Sequence, residues 1–354
     1  MRQRRMHAVT MAFGLALLLV SSAATGQYKL TNLSSNQVKW ANHDDPLLVN
    51  AWGLVHGAGS PWWVSDENSG WSTLYDGAGN AIPLRVLIPT SGNGPSSPQG
   101  LNGPGSPTGI VFNGSQEFQV GGWTPFFLFA TLDGTISGWA PQTNANQATV
   151  APLQNQPSGA SYTGLAITNK TSRNFLYAAD IANSQVEIFD ANFNFVKAFT
   201  DSTLPAGFAP FGVRDINGIV YVTFASVTGG KGGFVEQFRE DGTPVSQGKP
   251  LIQGVPLNQP WGIASAPANF GPLSHALLIS NNTNAGTINA FDAFNGKFIG
   301  TVKDTTGKAI VIDQLWGIDF GDGLGKNGAA NHLYFAAGPS NNLAGTFGMI
   351  AFHP

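Results

Sequence analysis

The chain has 354 residues, among them 45 Gly, 22 Pro, 24 Phe and 9 Trp, with 17 Lys+Arg against 20 Asp+Glu, a formal net charge of −3 and no cysteine. So many aromatics at so low a charge exclude a disordered chain. The lack of a basic excess argues against a nucleic-acid partner, and the lack of cysteine excludes a disulfide framework and thiol catalysis.

Residues 1–26 open with Arg2, Arg4 and Arg5, continue through the apolar run Met11–Val20 and end in small residues from Ser21 to Gly26. That is the order of a secretory signal peptide, cleaved after Ala24 or after Gly26, with an apolar run too short to span a bilayer. The expectation is a secreted protein of a bacterial periplasm or exterior, free of the membrane once cleaved, whose residues 27–354 form one domain. Tyr28–Leu33 then reads as a strand that belongs to no repeat.

From there a unit recurs, marked by a glycine followed by an apolar residue, with copies starting near residues 50, 106, 161, 209, 259 and 314. The copies are Ala51-Trp52-Gly53-Leu54, Pro107-Thr108-Gly109-Ile110, Tyr162-Thr163-Gly164-Leu165, Pro210-Phe211-Gly212-Val213, Pro260-Trp261-Gly262-Ile263 and Leu315-Trp316-Gly317-Ile318. Their glycines are 56, 55, 48, 50 and 55 residues apart, the spacing of propeller blades. Each glycine precedes a second apolar strand, such as Phe127–Ala130 or Leu333–Ala336, and then a third, with Asp241-Gly242 and Asn295-Gly296 marking hairpin turns. Most copies add a fourth strand, but the sixth stops after three, leaving an edge that folded proteins cover. The sequence therefore predicts an all-β, six-bladed β-propeller in which the N-terminal strand completes the last blade. Outside the repeat, residues 89–106 read as a long Pro/Gly/Ser-rich connection, and 321–331 as a glycine-rich loop inside the last blade.

Leu48–Gly53, Pro61–Gly79, Gly207–Phe211, Asn258–Gly262 and Gln314–Gly348 together resemble a family of uncharacterised bacterial secreted propellers related to NHL-repeat proteins, some with a PEP-CTERM sorting tail. The resemblance spans the mature chain and implies the fold and export, but no settled activity. No sorting tail is recognisable here.

Loops that enter the first strand and loops that join the second to the third share one face, where a channel mouth is expected to bind ligands. Trp52, Phe211, Trp261 and Trp316 stand there, either to stack on a sugar or other ligand or to pack between blades. Asn50, Asp66, Glu67, Asn68, Asp180, Asn183, Asn281, Asn282 and Gln314 supply oxygens at the same mouth. Of these, Asp66, Asp180 and Asn281 form the candidate metal set, with calcium ahead of zinc; the same residue types also cap turns. His43-Asp44-Asp45 reads as a solvated surface triplet. The leading expectation is a monomeric, non-enzymatic binding module for a small ligand, glycan or protein. Its rivals are a metal-assisted lactonase or lyase with a central divalent cation, by analogy of fold alone, and a structural matrix component.

Overall fold

The computed structural model describes residues 27–90, 104–168, 170, 172–246 and 249–354. The signal segment 1–26 with both cleavage positions, and residues 91–103 of the Pro/Gly/Ser-rich connection, lie outside the described residues.

The second strand of a blade is flanked by strands within its sheet and by neighbouring blades above and below. It is therefore written as an unbroken apolar run rather than an alternating one. Trp62–Asp66, Phe127–Thr131, Leu176–Asp180 and Ala276–Asn281 are buried at every position. The outermost strands, such as Phe195–Phe199 and Phe298–Thr301, face solvent along most of their length. Inner strands run Ala51–Val55, Pro107–Phe112, Tyr162–Ile167, Phe208–Ile216, Pro260–Ser265 and Leu315–Phe320. Each heads one antiparallel sheet, so the described residues form six blades.

Five sheets have four strands in sequence order, and the sixth has five. There Gln27–Ser35 pairs antiparallel with Thr346–His353, from Gln27 opposite His353 to Ser35 opposite Thr346, with a bulge between Asn32 and Ser34. His43–Asp44 adds a short parallel strand outside it. The expected latch is present, and it is also cemented to the fifth blade. Tyr28 is buried, its hydroxyl donates to Phe270 O at 2.7 Å, and its ring lies 4.7 Å from that of Phe270 and 5.6 Å from that of Phe352.

The repeated glycine has a steric reason. Every inner strand bulges beside it, which turns the backbone toward the next blade. A Cβ on Gly53 would sit 2.3 Å from Thr108 O, and one on Gly212 would sit 2.1 Å from Trp261 O. Hydroxyls stitch the same seams. Thr108 Oγ1 donates to Tyr162 O at 2.7 Å, Thr163 Oγ1 to Phe211 O at 2.8 Å and Ser280 Oγ to Trp316 O at 2.6 Å. The inner strands thus form a narrow collar of backbone held by hydrogen bonds from one blade to the next.

Candidate functional site

The four aromatic residues before the glycines converge. Trp52 and Trp316 stack with centroids 3.5 Å apart, Trp261 stands edge-on to both at 6.4 and 6.0 Å, and Phe211 lies 5.6 Å from Trp316. Trp261 Nε1 donates across the axis to Thr163 O at 2.9 Å, and Trp316 Nε1 donates to Asn50 Oδ1 at 3.0 Å. Trp52, Trp316 and Phe211 are buried and Trp261 is half-buried. Contributed by blades 1, 4, 5 and 6, the rings fill the axis at the loop face, and their faces are spent on one another.

Most polar residues of that face are held by hydrogen bonds within their own blade or to the next one. Asp66 Oδ2 accepts from Thr73 N at 3.1 Å and Thr73 Oγ1 at 2.8 Å, and burial pushes its carboxyl well above the usual carboxylate range. Asp180 Oδ1 accepts from Ser161 N at 2.9 Å, and its Oδ2 from Asn183 Nδ2 at 2.6 Å. Asn281 Oδ1 accepts from Asn258 N at 3.0 Å while its Nδ2 donates to Pro256 O at 2.8 Å. In blades 3 and 5 the residue ending the second strand thus ties down the segment that enters the blade.

Asn50 Nδ2 donates to Glu67 Oε2 at 2.8 Å, Asn68 Nδ2 to Asn342 O at 2.6 Å and Gln314 Nε2 to Asn284 Oδ1 at 2.7 Å. The Asn282 side-chain amide nitrogen is buried and meets no protein acceptor. Among the described residues no three His, Asp or Glu side chains converge as a metal-holding group. The His43-Asp44-Asp45 triplet departs from the solvated surface expected of it. Asp45 is 3 % exposed and accepts from the Tyr75 hydroxyl at 3.1 Å, because the latch carries this segment inward against blade 1.

Below the aromatic plug the channel opens into a cavity of about 290 Å³ on the opposite face, walled by residues that follow the glycines. Leu54, Ile110, Leu165, Val213, Ile263 and Ile318 line it one place after the glycine. One place further the copies read Val55, Val111, Ala166, Arg214, Ala264 and Asp319. Only two of these six are charged, with opposite signs, and Arg214 Nη2 meets Asp319 Oδ2 at 2.7 Å between blades 4 and 6. Neither residue was singled out from sequence. The signal was available as a charge break at a repeat position otherwise occupied by Val or Ala.

Blade 4 also shapes the mouth. Its inner strand is nine residues long and turns back through Asn217-Gly218, both at positive φ (55° and 80°), the two-residue turn that matches strand twist. The corresponding connection in blade 2 runs from 113 to 126. The tight blade 4 turn leaves a notch in the rim, seen as an adjoining groove lined by Lys170, Arg214, Asp215, Glu240 and Asp319. On the far side His56 is pinned, with Nε2 2.9 Å from Phe320 O and Nδ1 3.0 Å from Gly57 O.

Two buried glutamates away from the cavity carry a pH dependence. Burial pushes Glu187, which accepts from the Tyr162 hydroxyl at 2.7 Å, up to about 7. Burial, then its contact with Asp201, pushes Glu236 up to about 8. Glu236 in its protonated form donates to the Asp201 carboxylate, which is held low. Both pKa values lie above the unfolded value near 4.5. The folded state therefore binds extra protons between about pH 4.5 and pH 8, and their stabilisation is lost as pH rises through the folded values. Urea midpoints are expected to fall from pH 5 to pH 9, and the fall is expected to be smaller in Glu236→Gln, whose amide donates to Asp201 at any pH. A wild-type midpoint that rises across this interval would contradict the assignment.

No family model matches the chain. Two uncharacterized proteins of Acanthamoeba polyphaga mimivirus are similar to it. One is 29% identical over 92% of this chain and 81% of its own length, the other 30% identical over 83% and 79%. Both of these relatives are viral rather than bacterial. Among solved structures, virginiamycin B lyase from Staphylococcus aureus matches with a TM-score of 0.51 at 14% identity, over 92% of this chain and 99% of that one. The soluble aldose sugar dehydrogenase from Escherichia coli matches with a TM-score of 0.54 at 10% identity, over 92% and 100%. At these identities the likeness is one of fold. With its fold that of the six-bladed β-propellers, the chain belongs to one family with the mimivirus protein to which it is 30% identical.

Proposed function

We propose that the protein is an exported, monomeric binding propeller, a single domain over residues 27–354, which takes a small amphipathic molecule into the channel from the notched face. The observation that carries this reading is the cavity of about 290 Å³, in which aliphatic side chains alternate with polar surface and whose mouth is bridged by Arg214 and Asp319. A concave site that offers aliphatic side chains together with convergent polar groups is a usual form of a small-molecule site. The volume is about twice the roughly 150 Å³ that accommodates benzene in an engineered cavity. A small ligand is favoured over a glycan because the tryptophans that would stack on sugar rings are stacked on each other.

The test is a thermal-shift screen of amphipathic small molecules against the mature protein and Val55→Trp, in which an indole occupies the cavity. Compounds that bind the native state raise its melting temperature in proportion to occupancy. Hits are expected on the wild type and not on Val55→Trp. Hits that persist undiminished in that variant would move the site elsewhere, and a screen without hits would sink the reading.

A further inference from the structure

Five charged side chains border the notch: Lys170, Arg214, Asp215, Glu240 and Asp319. Four are paired, Arg214 with Asp319 at 2.7 Å and Lys170 with Glu240. The fifth is not. Asp215 lines both the cavity and the groove, its Oδ1 accepts only a long contact of 3.4 Å from Gly218 N, and its Oδ2 is shut from solvent without a hydrogen-bond partner. A carboxylate oxygen enclosed without a donor is costly. Burial, and with it the negative Glu240 nearby, holds this carboxyl above its ordinary value. Once the two pairs cancel, the mouth of the cavity keeps one net negative charge, the neighbouring cations Lys170 and Arg214 being already paired with Glu240 and Asp319.

We infer that the ligand is a small organic ammonium, whose apolar body fills the channel cavity and whose –NH₃⁺ group donates to Asp215. The inference rests on the reading of this cavity as a ligand site and adds the chemistry of the headgroup. A divalent metal ion is a poorer fit, since a hard cation seeks six or more oxygens and the walls behind Asp215 are Ile167, Val213, Ile263 and Ile318. An anion meets an Arg214 already engaged by Asp319 and an Asp215 that repels it. An ammonium can give a strong donor to Oδ1, whose one contact is the long one from Gly218 N, and its stem can lie along the aliphatic side chains of the lining.

The experiment uses three probes that share a phenyl body and differ in headgroup: phenethylammonium, phenethyl alcohol and phenylacetate. Each is titrated calorimetrically into the mature wild-type protein and Asp215→Asn, with circular dichroism confirming that the variant keeps its fold. In the wild type the ammonium is expected to bind roughly tenfold or more tighter than the alcohol, as a charge-assisted hydrogen bond provides, with phenylacetate weakest. In Asp215→Asn that preference should disappear while binding of the alcohol is kept. Equal affinities for ammonium and alcohol in the wild type, or a preference for phenylacetate, would overturn the headgroup assignment while leaving a ligand cavity in place. Failure of all three probes to bind would remove the assignment together with the cavity reading beneath it. The wild-type ranking decides even if the variant does not fold.

Discussion

Replacing Gly212 by alanine is expected to cost about 3 kcal/mol or more, a large fraction of the roughly 5–15 kcal/mol that holds an ordinary domain folded. The added methyl group would lie 2.1 Å from Trp261 O, 2.9 Å from Trp261 C and 2.9 Å from Thr223 Oγ1. The first two are backbone atoms of the next inner strand and cannot swing aside like the tip of a side chain. Relief requires blades 4 and 5 to part, which also strains the Gly212 N–H bond to Thr223 Oγ1 at 2.8 Å. Gly300 is the matched control. It lies in the exposed outer strand of blade 5, and a Cβ there meets nothing within 4 Å, so Gly300→Ala is expected to change stability by no more than about 0.5 kcal/mol. Chemical denaturation of the two variants beside the wild type checks both. A Gly212→Ala midpoint equal to that of Gly300→Ala would mean that the collar is looser than described.

Loss of the latch should have the next largest effect. Tyr28→Ala is expected to cost about 3 to 5 kcal/mol, the range for a buried large aromatic cut back to a methyl. It empties a site packed by Phe270 and Phe352 and leaves Phe270 O without its donor. Tyr28→Phe keeps the ring and is expected to cost about 1 kcal/mol, the net worth of one hydrogen bond. Burial pushes the Tyr28 phenol up to about 12, so it stays a donor throughout the neutral range. A chain that begins after Ser35 should expose Thr346–His353 as an unpaired edge and aggregate. Added peptide of the 27–35 sequence should raise its melting temperature as the peptide concentration rises. If the truncated chain is as stable as one that begins at Gln27 and is indifferent to the peptide, the strand is not what holds the last blade.

Much of this architecture was legible because it repeats. Six glycines recur for one steric reason, and the three-stranded sixth copy demands the strand at Tyr28–Leu33, which the structure extends to Gln27–Ser35. The site was less legible, since repetition says where loops gather and not which end of a channel is blocked. That outcome depends on four aromatic rings meeting at one point, and their stacking distances exist only in three dimensions. Asp66, Asp180 and Asn281 present the oxygens a cation would want, but Asp66 Oδ2, both Asp180 oxygens and Asn281 Oδ1 serve nearby backbone and side-chain donors, and sequence does not separate the two uses. Asp45 looked solvated because its neighbours His43 and Asp44 are polar, and only the path of the latch brings it inside. Arg214 and Asp319 were written in the repeat itself, as charges where sister copies carry Val or Ala, but their pairing joins blades two apart in the ring.

The latch also governs timing. The Ser35 hydroxyl donates to Gly345 O across 310 residues of chain, so the first strand made must wait for almost the last. Until Thr346–His353 has emerged from the machinery that makes or threads the chain, blades can collapse locally, but the ring cannot close. Such long-range pairing is slow and leaves an unpaired edge exposed meanwhile. A polypeptide stalled or clipped a few residues short of that strand would be an open spiral, ready to pair its edge with another copy, and quality control by proteases would find it in that state.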